Sequence, residues 1–189
     1  MFDLTLKTER LTLRPYSLSD APSLGVLAND FDVARMLTRL PHPYNESEAV
    51  RWIGTCAEFH KSGKGYVFAI EIEGALAGSI SVIAHDNREF ALGYWLTAAH
   101  WGKGYATEAA RAVLTFAFDT LALPYVRSAY ISDNPASARV LGKVGFLATG
   151  RKRLFHVVRD EEVQLIEVVL PKNAFLRDSG TGEKVYKAA

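Results

Sequence analysis

One cysteine, Cys56, in 189 residues leaves nothing from which to build an internal disulfide framework. Such a chain suits a reducing compartment, so a cytoplasmic location is expected. The same shortage works against a zinc site. The five histidines, His42, His60, His85, His100 and His156, lack the paired spacing of metal ligands, and no metal is expected. Charge of one sign is also missing. Lys and Arg number 22 against 21 Asp and Glu, a net +1, so nothing calls for nucleic acid or an anionic membrane surface as a partner. No apolar run approaches the ~20 residues needed to span a bilayer. Met1-Phe2-Asp3-Leu4-Thr5 has neither the charged nor the apolar region of a secretory leader. Internal repeats and low-complexity linkers are absent too.

What is present is core. Hydrophobic residues make up 49% of the chain, enough for one well-filled domain. Pattern persists to about residue 175 and fades over 176–189, where Gly180 and Gly182 suggest a mobile tail. Leu4 to Arg14 alternates and reads as a first strand. Broken helical segments follow to about Arg39. Asn45 with Glu48 three residues on marks a helix start. Tyr66 to Glu73 and Leu76 to Ala84 read as a hairpin, and Phe90 to Leu96 as a strand. A helix over Ala109 to Leu121 keeps Ala109, Ala110, Val113 and Ala117 on one face. Then come a strand at Tyr125 to Ile131, a short helix to about Val144 and two last strands. This order implies an α/β fold with a mixed sheet.

The stretch Tyr94 to Ala109 organises the chain. A strand runs through a turn holding Gly102 and Gly104 into a helix. The unpaired N–H groups at such a helix start, at the positive end of its dipole, make an anion site. Glycine matters there because a Cβ would hold phosphate oxygens off the backbone. Other phosphate loops do not fit. A Walker loop needs Gly-Lys-Ser/Thr, but Lys103 is followed by Gly104. A dinucleotide fingerprint needs a third glycine where Thr107 stands.

The run Trp101-Gly102-Lys103-Gly104-Tyr105-Ala106-Thr107-Glu108-Ala109 resembles the acetyl-CoA pyrophosphate loop of the GNAT N-acetyltransferases, with Trp101 where most carry Gln or Arg. That replacement is similar to the RimJ/RimL-like branch, which acetylates N-terminal amines of ribosomal proteins. A second block, Asn134 to Phe146, resembles that branch's Asn-x-x-Ser…Gly-Phe segment. The resemblance spans roughly residues 8 to 171. It implies a GNAT-like acyl-CoA N-acyltransferase fold: a mostly antiparallel sheet flanked by helices and splayed in the middle, near Trp95 and Tyr130. It implies acetyl-CoA as co-substrate and direct attack by a primary amine in a ternary complex.

The resemblance also assigns roles. Backbone N–H groups of Gly102, Lys103, Gly104, Tyr105, Ala106 and Thr107 would hold the pyrophosphate. Leu96 and Thr97 would offer backbone groups to pantetheine, with the Leu96 N–H as oxyanion donor. Asn134 would bind the pantetheine arm or a water, and Ser137 would give a proton to the departing thiolate. Two positions depart from the pattern. Ala91 stands where the branch carries a glutamate, and Leu141 where most of the family carries a tyrosine. Glu89, two residues before Ala91 on the same strand face but displaced by roughly 7 Å, is then the candidate base, acting through a water. The favoured acceptor is the α-amine of a ribosomal or other protein N-terminus. The alternatives are a small amine (amino acid, polyamine or aminoglycoside) or a non-catalytic acyl-CoA-binding module. A monomer and a homodimer both fit.

Overall fold

The computed structural model describes residues 4–85 and 89–175. The expected tail at 176–189 lies outside them. The single strand expected over Leu4 to Arg14 is instead two, β1 (Leu6–Lys7) and β2 (Thr12–Arg14), folded back on each other. The cause is local. The Thr8 N–H donates to the Leu11 carbonyl at 3.0 Å, and the Leu11 N–H donates to Thr8 Oγ1 at 3.0 Å. That hydroxyl-closed turn interrupts a pattern which alternation alone reads as continuous.

Three helices follow: α1 (Ala21–Leu27), α2 (Phe31–Ala34) and α3 (Glu46–Ser62). Asn45 caps α3 by accepting from the Glu48 N–H at 3.1 Å. The chain continues as β3 (Gly65–Ile72), β4 (Ala75–Ala84) and β5 (Phe90–Leu96), then α4 (Tyr105–Asp119) and β6 (Tyr125–Ile131). It closes with α5 (Pro135–Val144), β7 (Leu147–His156) and β8 (Glu161–Pro171).

The strands form one eight-stranded sheet in the order β1-β2-β3-β4-β5-β6-β8-β7. Every neighbouring pair is antiparallel except β5 and β6. Those two are parallel and share a single register pair, Ala91 with Arg127. From that pair they diverge toward Leu96 and Ile131, so the mixed sheet is split in its middle, as expected.

Each face of the sheet carries helices. Phe68, Ile80 and Leu92 pack with Ala110, Val113, Leu114 and Ala117 of α4 and with Leu141 and Val144 of α5. The small residues on α4 let that helix lie close to the strands. A second cluster joins α1 to α3 through Ala21, Leu24, Ala49 and Ile53, and Trp95 packs against it. Cys56 is buried on α3, and burial pushes its thiol up to about 12, which suits core packing and not nucleophilic chemistry. Among the described residues no helix is long and apolar enough to cross a membrane, and no group of three or more His, Cys, Asp or Glu could hold a metal.

Candidate active site

The glycine turn sits where β5 leaves the sheet. The Thr97 N–H still donates to the Ala77 carbonyl at 2.9 Å. A 3-10 turn at Ala98–His100 follows, then Gly102 at φ +73° and Gly104 at φ +85°, both in the left-handed region. A Cβ built on Gly102 would meet nothing within 4 Å, so this face of the turn is open. Helix α4 begins at Tyr105, a turn earlier than the apolar spacing suggested. Its first N–H groups, on Tyr105 and Ala106, have no intrahelical acceptor. The Thr107 and Glu108 N–H groups both bond the Gly104 carbonyl at 3.1 Å.

A clamp from the far end of the chain holds this turn. Glu108 Oε1 accepts from Thr8 Oγ1 at 2.6 Å and from the Arg10 N–H at 2.9 Å. Its Oε2 accepts from Arg10 Nε at 2.7 Å. The Arg10 guanidinium also donates to the Lys103 carbonyl at 3.1 Å and lies 4.5 Å over the Tyr105 ring. Burial alone would push the Glu108 carboxyl up. The hydrogen bonds from Thr8 and Arg10 outweigh it and hold the carboxyl below its usual range. No local pattern shows this clamp, because the partners Thr8 and Arg10 lie about a hundred residues away in the chain.

The split between β5 and β6 exposes backbone. Ladder hydrogen bonds alternate, and Thr97 pairs back to β4, so the N–H and C=O of Leu96 face the split. The Leu96 carbonyl accepts from Trp101 Nε1 at 2.7 Å, which gives the unusual Trp101 a structural task. Its N–H is left toward the opening. At the narrow end Ser128 Oγ donates to the Leu92 carbonyl at 2.9 Å and ties the two strands.

Ser137 comes to the same place from α5. Asn134 caps that helix, its Oδ1 accepting from the Ser137 N–H at 3.0 Å. Ser137 Oγ lies 2.9 Å from the Tyr94 hydroxyl on β5. Burial raises the Tyr94 phenol to about 12, so it is protonated at neutral pH. Leu141, where the family tyrosine was expected, is fully buried in the core. A tyrosine is therefore beside Ser137 after all, delivered by the strand and not by the helix. No spacing in the sequence could show it.

One cavity of about 1190 Å³ connects these parts. Leu96, Gly102, Gly104, Tyr105, Ala106, Thr107, Asn134 and Ser137 all line it; Thr97 and Lys103 do not. Glu89 is not in the wall either. It sits at the closed end of the split, where Tyr125 Oη donates to Oε1 at 2.9 Å and Arg127 Nε approaches Oε2 at 2.9 Å. Those two partners hold its carboxyl below the usual range, which weakens it as a proton acceptor. The structure thus gives Glu89 the part of a strand-to-strand tie. The far half of the cavity is walled by residues from α1 to α3, including Val33, Leu37, Trp52 and Phe59, and by Lys152 and Leu154 on β7. Arg159, beyond β7, pins this roof. It donates to the Arg35 carbonyl at 2.6 Å and pairs with Asp133 at 2.7 Å.

Residues 10–147 match the acetyltransferase (GNAT) domain model. YoaA of Bacillus subtilis (strain 168), described as an uncharacterised N-acetyltransferase, is 27% identical over 173 residues, covering 88% of this chain and 97% of that one. RimL, a ribosomal L7/L12 alpha-N-protein acetyltransferase solved with coenzyme A, superposes with a TM-score of 0.81 at 19% identity, over 90% of this chain and 99% of RimL. The microcin C7 self-immunity acetyltransferase MccE, solved with acetyl-CoA and AMP, gives 0.77 at 22% identity, over 87% and 93%. With most of its length under that one domain model, a sheet split between β5 and β6 and a glycine turn at the head of α4, the chain belongs to the GNAT family of acetyltransferases.

Proposed function

We propose that the protein moves the acetyl group of acetyl-CoA onto the α-amine of a protein or peptide N-terminus, the two substrates meeting in the split between β5 and β6. The observation that carries this reading is the single cavity. It joins the glycine turn, the Tyr94–Ser137 pair and a roofed arm under α1 to α3. The pyrophosphate lies against the backbone of Gly102 to Thr107, where the Tyr105 and Ala106 N–H groups have no intrahelical acceptor and the space beside Gly102 is open. Lys103 adds its charge from outside the wall. Pantetheine runs along Leu96, beside Asn134; the Thr97 N–H and carbonyl are already bonded to Ala77 and His100. The thioester carbonyl faces the Leu96 N–H, which stabilises negative charge as it develops on oxygen. Ser137 protonates the departing thiolate, and Tyr94, itself protonated, backs Ser137.

The α-amine is favoured on physical grounds. Its reference pKa of about 7.7–8.0 leaves a useful neutral fraction at pH 7.5, whereas a lysine at about 10.4 is almost wholly protonated. The likeness to RimL, named for α-N-acetylation of a ribosomal protein, points the same way. A small amine is the second reading. It is favoured by the Arg159 strap, which pins the roof over the arm through the Arg35 carbonyl. We place the reaction in the cytoplasm, in keeping with the unpaired Cys56. Thiol release from acetyl-CoA, measured across peptides with free N-termini and a panel of small amines, is the test. Turnover with peptides and not with lysine, polyamine or aminoglycoside supports the α-amine. Preference for a small amine replaces it. Tight binding with no acceptor-dependent release makes the chain a binding module.

A further inference from the structure

An amine acceptor must give up a proton, and neither expected position takes it. Residue 91 is alanine, and Glu89 is tied to Tyr125 and Arg127 outside the cavity. Among the described residues the cavity wall holds two carboxylates, Glu48 and Glu167. Glu48 is ion-paired with Arg51. Among the described residues no hydrogen bond or ion pair reaches the carboxylate of Glu167; its backbone is paired on both sides in the sheet and its carbonyl also accepts from Thr149 Oγ1 at 3.3 Å.

Register fixes where Glu167 points. It pairs with Ala129 of β6 on one side and Gly150 of β7 on the other. Ala129 lies two residues beyond Arg127, the partner of Ala91. Paired residues share a face, and alternate residues share it too, so the Glu167 side chain stands on the face of Ala91 and Gly93. Trp95 is on that face as well, and it packs against the α1–α3 cluster. This is the acceptor side of the sheet. The neighbours are small: Ala91, Gly93, Ala129 and Gly150 leave a floor that does not block approach. A Cβ at Gly150 would lie 3.0 Å from Glu167 Oε2, so the absent side chain there makes room for the carboxylate.

We propose that Glu167 receives the ammonium group of the acceptor and takes its proton. This rests on the acetyl-transfer reading above. The nitrogen transfers one proton to the Glu167 carboxylate, directly or through a water. Its freed lone pair forms the C–N bond at the thioester carbonyl carbon, and the C–S bond then breaks. Two protons leave the nitrogen in all: one passes through Glu167 to solvent, and the other ends on the departing sulfur. The other ionisable groups on this side of the cavity are Lys152, Arg127, Arg39, His85, Tyr44 and the Glu48–Arg51 pair. Arg127 is engaged by Glu89, and Arg39 Nη1 lies 3.4 Å from His85 Nδ1. Lys152, two residues past Gly150, is the nearest β7 cation on the face of Glu167; Arg151 between them lies on the other face.

The test compares wild type, Glu167→Gln and Gly150→Ala in three measurements. They are acetyl-CoA affinity, kcat/KM against pH for whichever alkylamine or peptide α-amine the wild type acetylates best, and kcat/KM for an arylamine, which is unprotonated at pH 7. Glu167→Gln is expected to leave acetyl-CoA affinity unchanged. It should lower kcat/KM for the protonated acceptor at pH 7, by about tenfold for a peptide α-amine of pKa about 8 and by about 10²-fold or more for an alkylamine of pKa about 10.4, with recovery as the pH rises. It should change the arylamine rate less than threefold. Gly150→Ala, which crowds the carboxylate without removing it, should lose a smaller amount with the same pattern. A Glu167→Gln variant with wild-type rate and pH profile overturns the role of Glu167 and leaves acetyl transfer standing. An equal loss for the arylamine does the same, since the residue is then structural. A wild type that binds acetyl-CoA and acetylates no amine overturns the transfer reading itself, and Glu167 with it.

Discussion

At the residue scale the centre of the site is a hydroxyl pair. Ser137 Oγ and Tyr94 Oη lie 2.9 Å apart, and burial keeps the tyrosine protonated, with its pKa near 12. If this pair delivers a proton to the thiolate, Ser137→Ala should lower kcat more than it raises the KM for acetyl-CoA. Tyr94→Phe should give a smaller loss of the same kind, because solvent can still reprotonate the serine. Steady-state kinetics check both; an effect confined to KM would make Ser137 a helix-start residue only. Glu89→Gln is expected to cost less than tenfold in kcat/KM, below the ~10²–10⁴ of a dedicated base. A thousandfold loss recovered by raising pH would restore Glu89 as the base. The placement of Ser137 and Asn134 at the head of one helix was legible in the sequence because they sit in one local block with fixed spacing. Tyr94 was not, because it reaches Ser137 across 43 positions of chain through the packing of β5 against α5. Glu89 was misleading because period-two spacing gives a face but does not say which end of the strand is closed.

At the element scale the head of α4 is fixed by the hairpin of β1 and β2. Three donors from Thr8 and Arg10 converge on Glu108. The Arg10 side chain is 43% exposed and that of Glu108 only 17%, so solvent screens the pair in part. Glu108→Gln should therefore cost about 1–2 kcal/mol at pH 7. The sign of its pH dependence follows from the depressed carboxyl. Its contribution is full above the unfolded value of about 4.3 and fades as pH falls through the lower folded value. Denaturant melts at pH 7 and near pH 3 should then show a gap between wild type and variant that narrows in acid; a gap that widens would contradict the clamp. The start of α4 was misjudged from sequence by a turn. Apolar spacing begins at the residues that face the core, whereas the helix begins where Gly104, at φ +85°, releases the backbone. The β1–β2 turn was missed for a related reason, since Thr8 bonds Leu11 with a side chain that alternation treats as merely polar.

At the scale of the whole molecule the sheet carries the function. Six of the seven neighbouring strand pairs are antiparallel and share two or more register pairs, and the β5–β6 seam has one pair alone. Most of this was legible, because β-rich runs, hairpin glycines and helix caps are local. The split itself was not visible in spacing; only the resemblance of the glycine turn and the Asn134–Phe146 block implied it. The acceptor half combines the segment from α1 to α3 with β7 and β8 from opposite ends of the chain, and no decisive charge pattern in those stretches names the acceptor. Calorimetric titration of acetyl-CoA into the wild type, Gly104→Ala and Gly104→Asp tests the central claim most directly, that the co-substrate's phosphates lie on the turn before α4. Gly104→Ala measures the strain of a side chain at φ +85°, and Gly104→Asp adds negative charge beside the backbone N–H groups. The prediction is that both variants remain folded and that Gly104→Asp binds at least tenfold more weakly than Gly104→Ala, a difference of about 1.4 kcal/mol. Equal affinity of the two folded variants for acetyl-CoA would contradict it.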